Sequence, residues 1–287
     1  MKTFLAAFML LSTLLSISEV HLCAQSISKE SSPEPETSIQ ELRKWPAHKL
    51  AEKYLASPPV PPMIVNRLRE MGDRSVIPQL RRAFSLANDD IEKQIIAAAL
   101  IGLGDRDDVS YQYLKQRAQD LLKRAIPTPM DIPKTGKDWG KTAKFSPDFL
   151  DWVRTHGANV NDAGYQGQVL DPATMKVIAS AGDSRFEPVL LRALRLPNVF
   201  IIANAAKGLA VLHDEKYVRP IVEVCETSKP LEADIIVQAL FYFDTPEANS
   251  AIERFLLSKE IEGPLRLEAK KNGWRFAAGL AFGTPDE

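Results

Sequence analysis

An all-α chain, an α-solenoid of stacked antiparallel helix pairs with one long insertion, is what this sequence predicts. Three observations predict it. A short turn phrase occurs five times: Gly72-Asp73-Arg74-Ser75-Val76-Ile77-Pro78, Gly104-Asp105, Gly182-Asp183-Ser184-Arg185-Phe186-Glu187-Pro188, His213-Asp214 and Phe243-Asp244. Successive Asp anchors lie roughly 30 residues apart except across one widened gap, a period that signals stacked supersecondary units. Apolar residues between the phrases recur at helical spacing, and no segment sustains the alternation that strands need.

The elements follow in order. Lys2 and the apolar run Phe4 to Ile17 have the form of a signal peptide, residues 1–24, with Ala24 before a cleavage site. Ser16-Ile17-Ser18 is a second candidate site, and Cys23 offers lipid anchoring as an alternative. Val20-His21-Leu22 lacks the small residue such processing needs. The mature chain is thus expected outside the cytoplasm, periplasmic or extracellular, with no membrane span left. Residues 25–37, rich in Ser, Glu and Pro, read as a flexible linker. The solenoid is expected over 38–287. Ser38-Ile39-Gln40-Glu41 fits a capping box, Pro46 interrupts that helix, and Leu50, Tyr54 and Leu55 form the face of the next. Pro58 to Pro62 predicts an extended connection, and Met63 to Met71 a renewed helix.

In each repeat Gly ends one helix, because a left-handed cap costs Gly little. Asp caps the next helix, and Pro sits in its first turn, where no intrahelical donor is lost. Second helices are expected over Ile91–Leu103, Val199–Leu212 and Leu231–Phe243, with a closing helix over Leu265–Phe282. His213 and Phe243 replace the turn Gly, so less regular turns are expected there. Between Asp105 and Asp183, Val109–Leu122 reads as the first half of a repeat and Ala173–Ala181 as the second. An insertion at about 125–169 separates them, holding Trp139, Phe145, Phe149, Trp152 and Tyr165. It is either a partner-binding loop with aromatic anchors or a flap packed on the array.

These phrases resemble the HEAT-like repeat family of the lyase-associated type. Leu100-Ile101-Gly102-Leu103-Gly104-Asp105 and Ser180-Ala181-Gly182-Asp183 look like its helix end and turn. The resemblance covers roughly residues 47–282 without the insertion, about six repeats. It implies helix pairs stacked into a curved array whose second helices line the concave face. It implies no single activity, since most members are binding scaffolds and a minority are enzymes.

Composition narrows the function. The 287 residues carry 36 Lys and Arg against 37 Asp and Glu, which leaves no basic stripe for nucleic acid. Cys225, beside Val222 and Val224, reads as a small buried hydrophobe. Gly136-Lys137-Asp138-Trp139-Gly140-Lys141-Thr142 is one residue short of a phosphate loop and follows no strand. Asp105, Asp107 and Asp108 lack the downstream bidentate carboxylate of a calcium loop and read as caps and solvated turn charges. His48, His156 and His213 lack zinc spacing. Phe149 to Asp162 resembles the end of an ankyrin repeat without its start, and reads as a helix capped by Gly157.

The expected function is therefore that of an exported, non-enzymatic scaffold binding a protein or peptide, with no cofactor, catalytic residue or metal. Lys93, Gln94, Asn204, Lys207, Asp234 and Gln238 are expected exposed on the concave face, and Trp139 and Trp152 on the insertion. A small-ligand carrier or enzyme with a pocket near Trp139, Lys141 or His156, and a self-associating envelope protein, are the alternatives.

Overall fold

The turn phrases at Asp73, Asp183 and Asp214 close one helix and open another by the same local chemistry. Gly72, Gly104 and Gly182 take left-handed φ angles of 65°, 75° and 63°. The Asp73, Asp183 and Asp214 carboxylates accept the backbone N–H two residues on, starting a 3-10 turn that leads into a helix. His213 adopts the same left-handed conformation, φ 53°, without being Gly. Phe243 does not; its φ of −111° is extended.

The computed structural model describes residues 39–42, 44–131 and 144–257. The expected signal peptide, the linker, Trp139, Lys141, the 136–142 segment and the closing helix over 265–282 lie outside these residues. Every regular element among the described residues is helical. After a single turn, Ile39–Leu42, come α1 (Ala47–Tyr54), α2 (Pro62–Met71), α3 (Ile77–Leu86), α4 (Asp90–Gly102) and α5 (Asp108–Arg124). The insertion supplies α6 (Pro147–His156) and α7 (Val160–Tyr165). Then follow α8 (Asp171–Ser180), α9 (Glu187–Ala193), α10 (Val199–Val211), α11 (Val218–Thr227), α12 (Pro230–Ile236) and α13 (Pro246–Leu257).

The sequence spacing misplaces three features. Asp105 does not cap a helix: Asp107 caps α5, and Asp105 turns inward to pair with Arg81 of α3, so it is buried rather than solvated. The helix expected over 231–243 is α-helical only to Ile236 and tightens into a 3-10 segment, Val237–Tyr242. The second half of the interrupted repeat begins well before Ala173. Here α7, a π-helical turn over Gln166–Leu170 and α8 run on from one another.

Packing follows chain order. Helices α2, α4, α8, α10 and the Val237–Tyr242 segment touch in succession, and α5 packs on both α4 and α8. Helix α8 thus takes its place beside α4 although more than 60 residues separate their starting sequences, and the insertion loops out between. The widest apolar cluster runs from Leu42 to Ile252 and includes Leu68, Leu100, Met175, Leu209 and Leu240. A satellite cluster of Ile126, Phe149 and Ala163 lies under the insertion. Cys225 is buried in the main core, and burial pushes its thiol up to about 12.

The insertion is pinned at its described ends. Asn198, wholly buried, caps α10 through Oδ1 while its Nδ2 donates to the carbonyls of Ile126 and Gly167, at 3.3 and 2.8 Å. The Thr128 N–H donates to Pro197 O, and Val199 N donates to Thr128 Oγ1, both at 3.0 Å. Ser146 Oγ donates to Thr128 O and caps α6, whose far end carries the expected Gly157 cap at φ 62°. These contacts tie the described ends of the insertion to the start of α10.

Candidate functional site

Helices α8 and α10 pack closely, and only Lys176 and Val211 of the pair are exposed. Helix α10, Val-Phe-Ile-Ile-Ala-Asn-Ala-Ala-Lys-Gly-Leu-Ala-Val, holds one charged residue, Lys207. Helix α8 holds Lys176 and Asp171. Asp171 is wholly buried and is consumed internally: its Oδ1 accepts from Arg124 and from Gln166 Nε2, each at 2.6 Å. Glycine sets how close the two helices come. A Cβ on Gly208 would lie 2.8 Å from Ala179 Cβ, inside normal contact, so the backbones approach as only Gly permits. Lys176 and Lys207 then become neighbours. Burial, reinforced by the like charge of Lys176, pulls the Lys207 ammonium below the usual lysine range.

A third cation arrives from α2. Arg69 crosses the surface of α4 at Gly102, where a Cβ would meet its Cδ at 3.1 Å. Its guanidinium donates to Ser180 O at 2.8 Å, at the C-terminal end of α8, the end that favours positive charge. Burial lowers the Arg69 pKa, against the pull of Glu70. Ser180 lies four residues after Lys176, on the same side of α8.

The residues expected to be exposed are distributed differently. Asn204 lies on α10, half-buried, and its Nδ2 donates to Pro172 O at 3.0 Å. Lys207 is also half-buried. Lys93 faces the aromatic rings of Phe84 and Tyr113, 5.1 and 5.7 Å away, on α3 and α5. Gln94 is buried and donates to Asp90, because α4 is enclosed nearly all round. Asp234 and Gln238 are half-buried, on α12 and the 3-10 segment after it. The structure thus brings Asn204 and Lys207 together and leaves Lys93 and Gln94 apart from them. Lys176 and Arg69 were missed. A lone Lys in an otherwise apolar second helix was the available signal for Lys176; none existed for Arg69.

Trp152 is half-buried on α6 against the satellite cluster. It stacks on His156, centroids 4.3 Å apart and planes 17° apart. Beside the flap lies an open cleft lined by Pro129, Met130, Phe145, Tyr165, Gln168 and Val169, among others. Phe145 and Tyr165 are 38% and 53% exposed. Among the described residues, the lining holds no carboxylate, imidazole, thiol or amine, and His156 is not part of it. Among the described residues, no group of three or more His, Cys, Asp or Glu converges as metal ligands would. No helix among them is long and apolar enough to cross a membrane.

No protein-family model, curated protein or solved structure matches the chain.

Proposed function

We propose that the chain is a HEAT-like α-solenoid that acts outside the cytoplasm as a non-enzymatic scaffold for a protein or peptide partner. The observation that carries this reading is the ordered packing of α2, α4, α8 and α10, with Lys176 exposed on α8 and Asn204 and Lys207 half-buried on α10. The repeated turn chemistry at Asp73, Asp183 and Asp214 supports the solenoid, and the order in which α2, α4, α8 and α10 touch supports a concave face made of second helices. Such a face offers surface rather than an enclosed pocket. The cleft beside the flap gives a small-ligand carrier or enzyme less support, because its described lining is mostly apolar side chains.

A photo-crosslinking residue at Val211, exposed at the end of α10, tests the proposal in the native envelope fraction. A control crosslinker at Gln116, exposed on α5, sets the background. A discrete hetero-adduct from position 211 and none from position 116 is expected. Adducts only between copies of this chain would replace the scaffold with the self-associating alternative.

A further inference from the structure

We propose that α6, α7 and the two limbs that carry them, 126–131 and 144–146, open and close as one cooperative unit while the array stays folded. The unit is a flap latched over the start of α10. This inference does not depend on the scaffold reading.

Packing sets the unit apart. Among the described residues, α6 packs on α7 and α7 on the π-helical turn, and neither packs broadly on a helix of the array. The unit has its own core. Phe149 and Ala163 bury against Ile126, with half-buried Val153 and Val160 around them. That cluster is separate from the main one. The attachment is a narrow neck. Arg124, the last residue of α5, closes one side by pairing with wholly buried Asp171, the first residue of α8, at 2.6 Å. Gly167 lets the two sides meet: a Cβ there would lie 2.6 Å from Ile126 Cγ2 and 3.0 Å from Pro129 Cγ. Asn198 Nδ2 holds the Ile126 and Gly167 carbonyls. Further out, Asp131 N donates to Lys144 O at 2.9 Å and Ser146 N to Pro129 O at 2.8 Å.

Ile126 belongs both to the neck and to the small core. Losing the neck therefore breaks the core, and losing the core frees the neck. Such mutual dependence makes a segment open all at once. Because the unit packs little on the array, its opening exposes little array surface and costs less than global unfolding. What opening uncovers is specific. Asn198 and Val199, both buried at the start of α10, lose the carbonyls and the Thr128 hydroxyl that they engage.

Hydrogen exchange of the full chain under native conditions, read by mass spectrometry at rising urea, tests this. Peptides covering α6 and α7 should share one opening isotherm, below the isotherm of α4 and α10. Val153→Ala, on α6, should speed exchange in α6 and in α7 by the same factor, about tenfold. It should leave α4 and α10 unchanged. Phe149→Ala should bring α6 and α7 close to the unprotected rate and leave the array folded by circular dichroism. Leu209→Ala, in the main core, should lower the α4 and α10 isotherm and leave that of α6 and α7 in place. Separate isotherms for α6 and α7 would overturn the proposal, as would one isotherm shared with the array. Acceleration of α6 alone by Val153→Ala would overturn it too.

Discussion

Asn198 uses both ends of one buried amide: Oδ1 starts α10 and Nδ2 holds two carbonyls of the insertion. Replacing it removes a cap and leaves two buried acceptors short of a donor. Asn198→Ala should therefore cost about 3 kcal/mol in urea unfolding. It should also make the 125–170 region the first site of limited proteolysis; unchanged protection there would show that Thr128 alone suffices. His213 poses the opposite case. It holds a left-handed φ that the equivalent positions fill with Gly. His213→Gly should stabilise the chain by about 0.5–1 kcal/mol, raising Tm by a few degrees, and a lower Tm would mean that the imidazole contributes more than its backbone costs. These turns were legible in the sequence because their chemistry is local. A Gly or its substitute, an Asp and a Pro within six residues determine the cap, the 3-10 turn and the next helix start. Side chains that act at a distance were not legible. Asp105 looks like its counterparts in the phrase, yet the Arg81 guanidinium, from α3, draws it inward.

At the level of elements, the closest approach decides what the α8–α10 pair can present. Gly208→Ala would place a methyl 2.8 Å from Ala179 Cβ and 3.0 Å from its Cα. Neither helix backbone yields cheaply. The substitution should cost about 2 kcal/mol in urea unfolding and separate α8 from α10. A variant that stays fully stable would show that the helices slide apart without loss. Helical periodicity located α2, α4, α5 and α10 well, because apolar residues recur in each at helical spacing. It failed for Gln94, since polar identity implied exposure while α4 is packed on several sides at once. It failed again at the insertion, where α7 leads into α8 through a π-helical turn. Nothing in the composition of Gln166–Leu170 marks an extra residue per turn.

Over the whole molecule, acid should unfold this chain through its turns. Backbone N–H groups of Ser75 and Lys216 hold the Asp73 and Asp214 carboxyls below the usual range. The Arg81 guanidinium does so for Asp105 against the cost of burial. For Asp183, burial pulls upward but Arg185 and its N–H pull further down. All four carboxyls are depressed in the folded state, so their contribution is complete above the unfolded carboxylate pKa and is lost as pH falls through the lower folded values. Urea midpoints should hold steady near neutrality and fall once pH drops below about 4. Arg81→Gln with Arg185→Gln should flatten that fall; an unaltered acid limb would assign it to other carboxylates. The Arg69 hydrogen bond to α8 has a mechanical consequence. In a row where each helix leans on the next, pulling on the two ends would peel the helices away one at a time. Arg69 reaches past α4 to the last carbonyl of α8, 111 residues away along the chain. It laces three successive layers together at the place where the insertion breaks the chain's continuity. Under force, α2, α4 and α8 should yield in one rupture event, and Arg69→Ala should split that event into smaller steps.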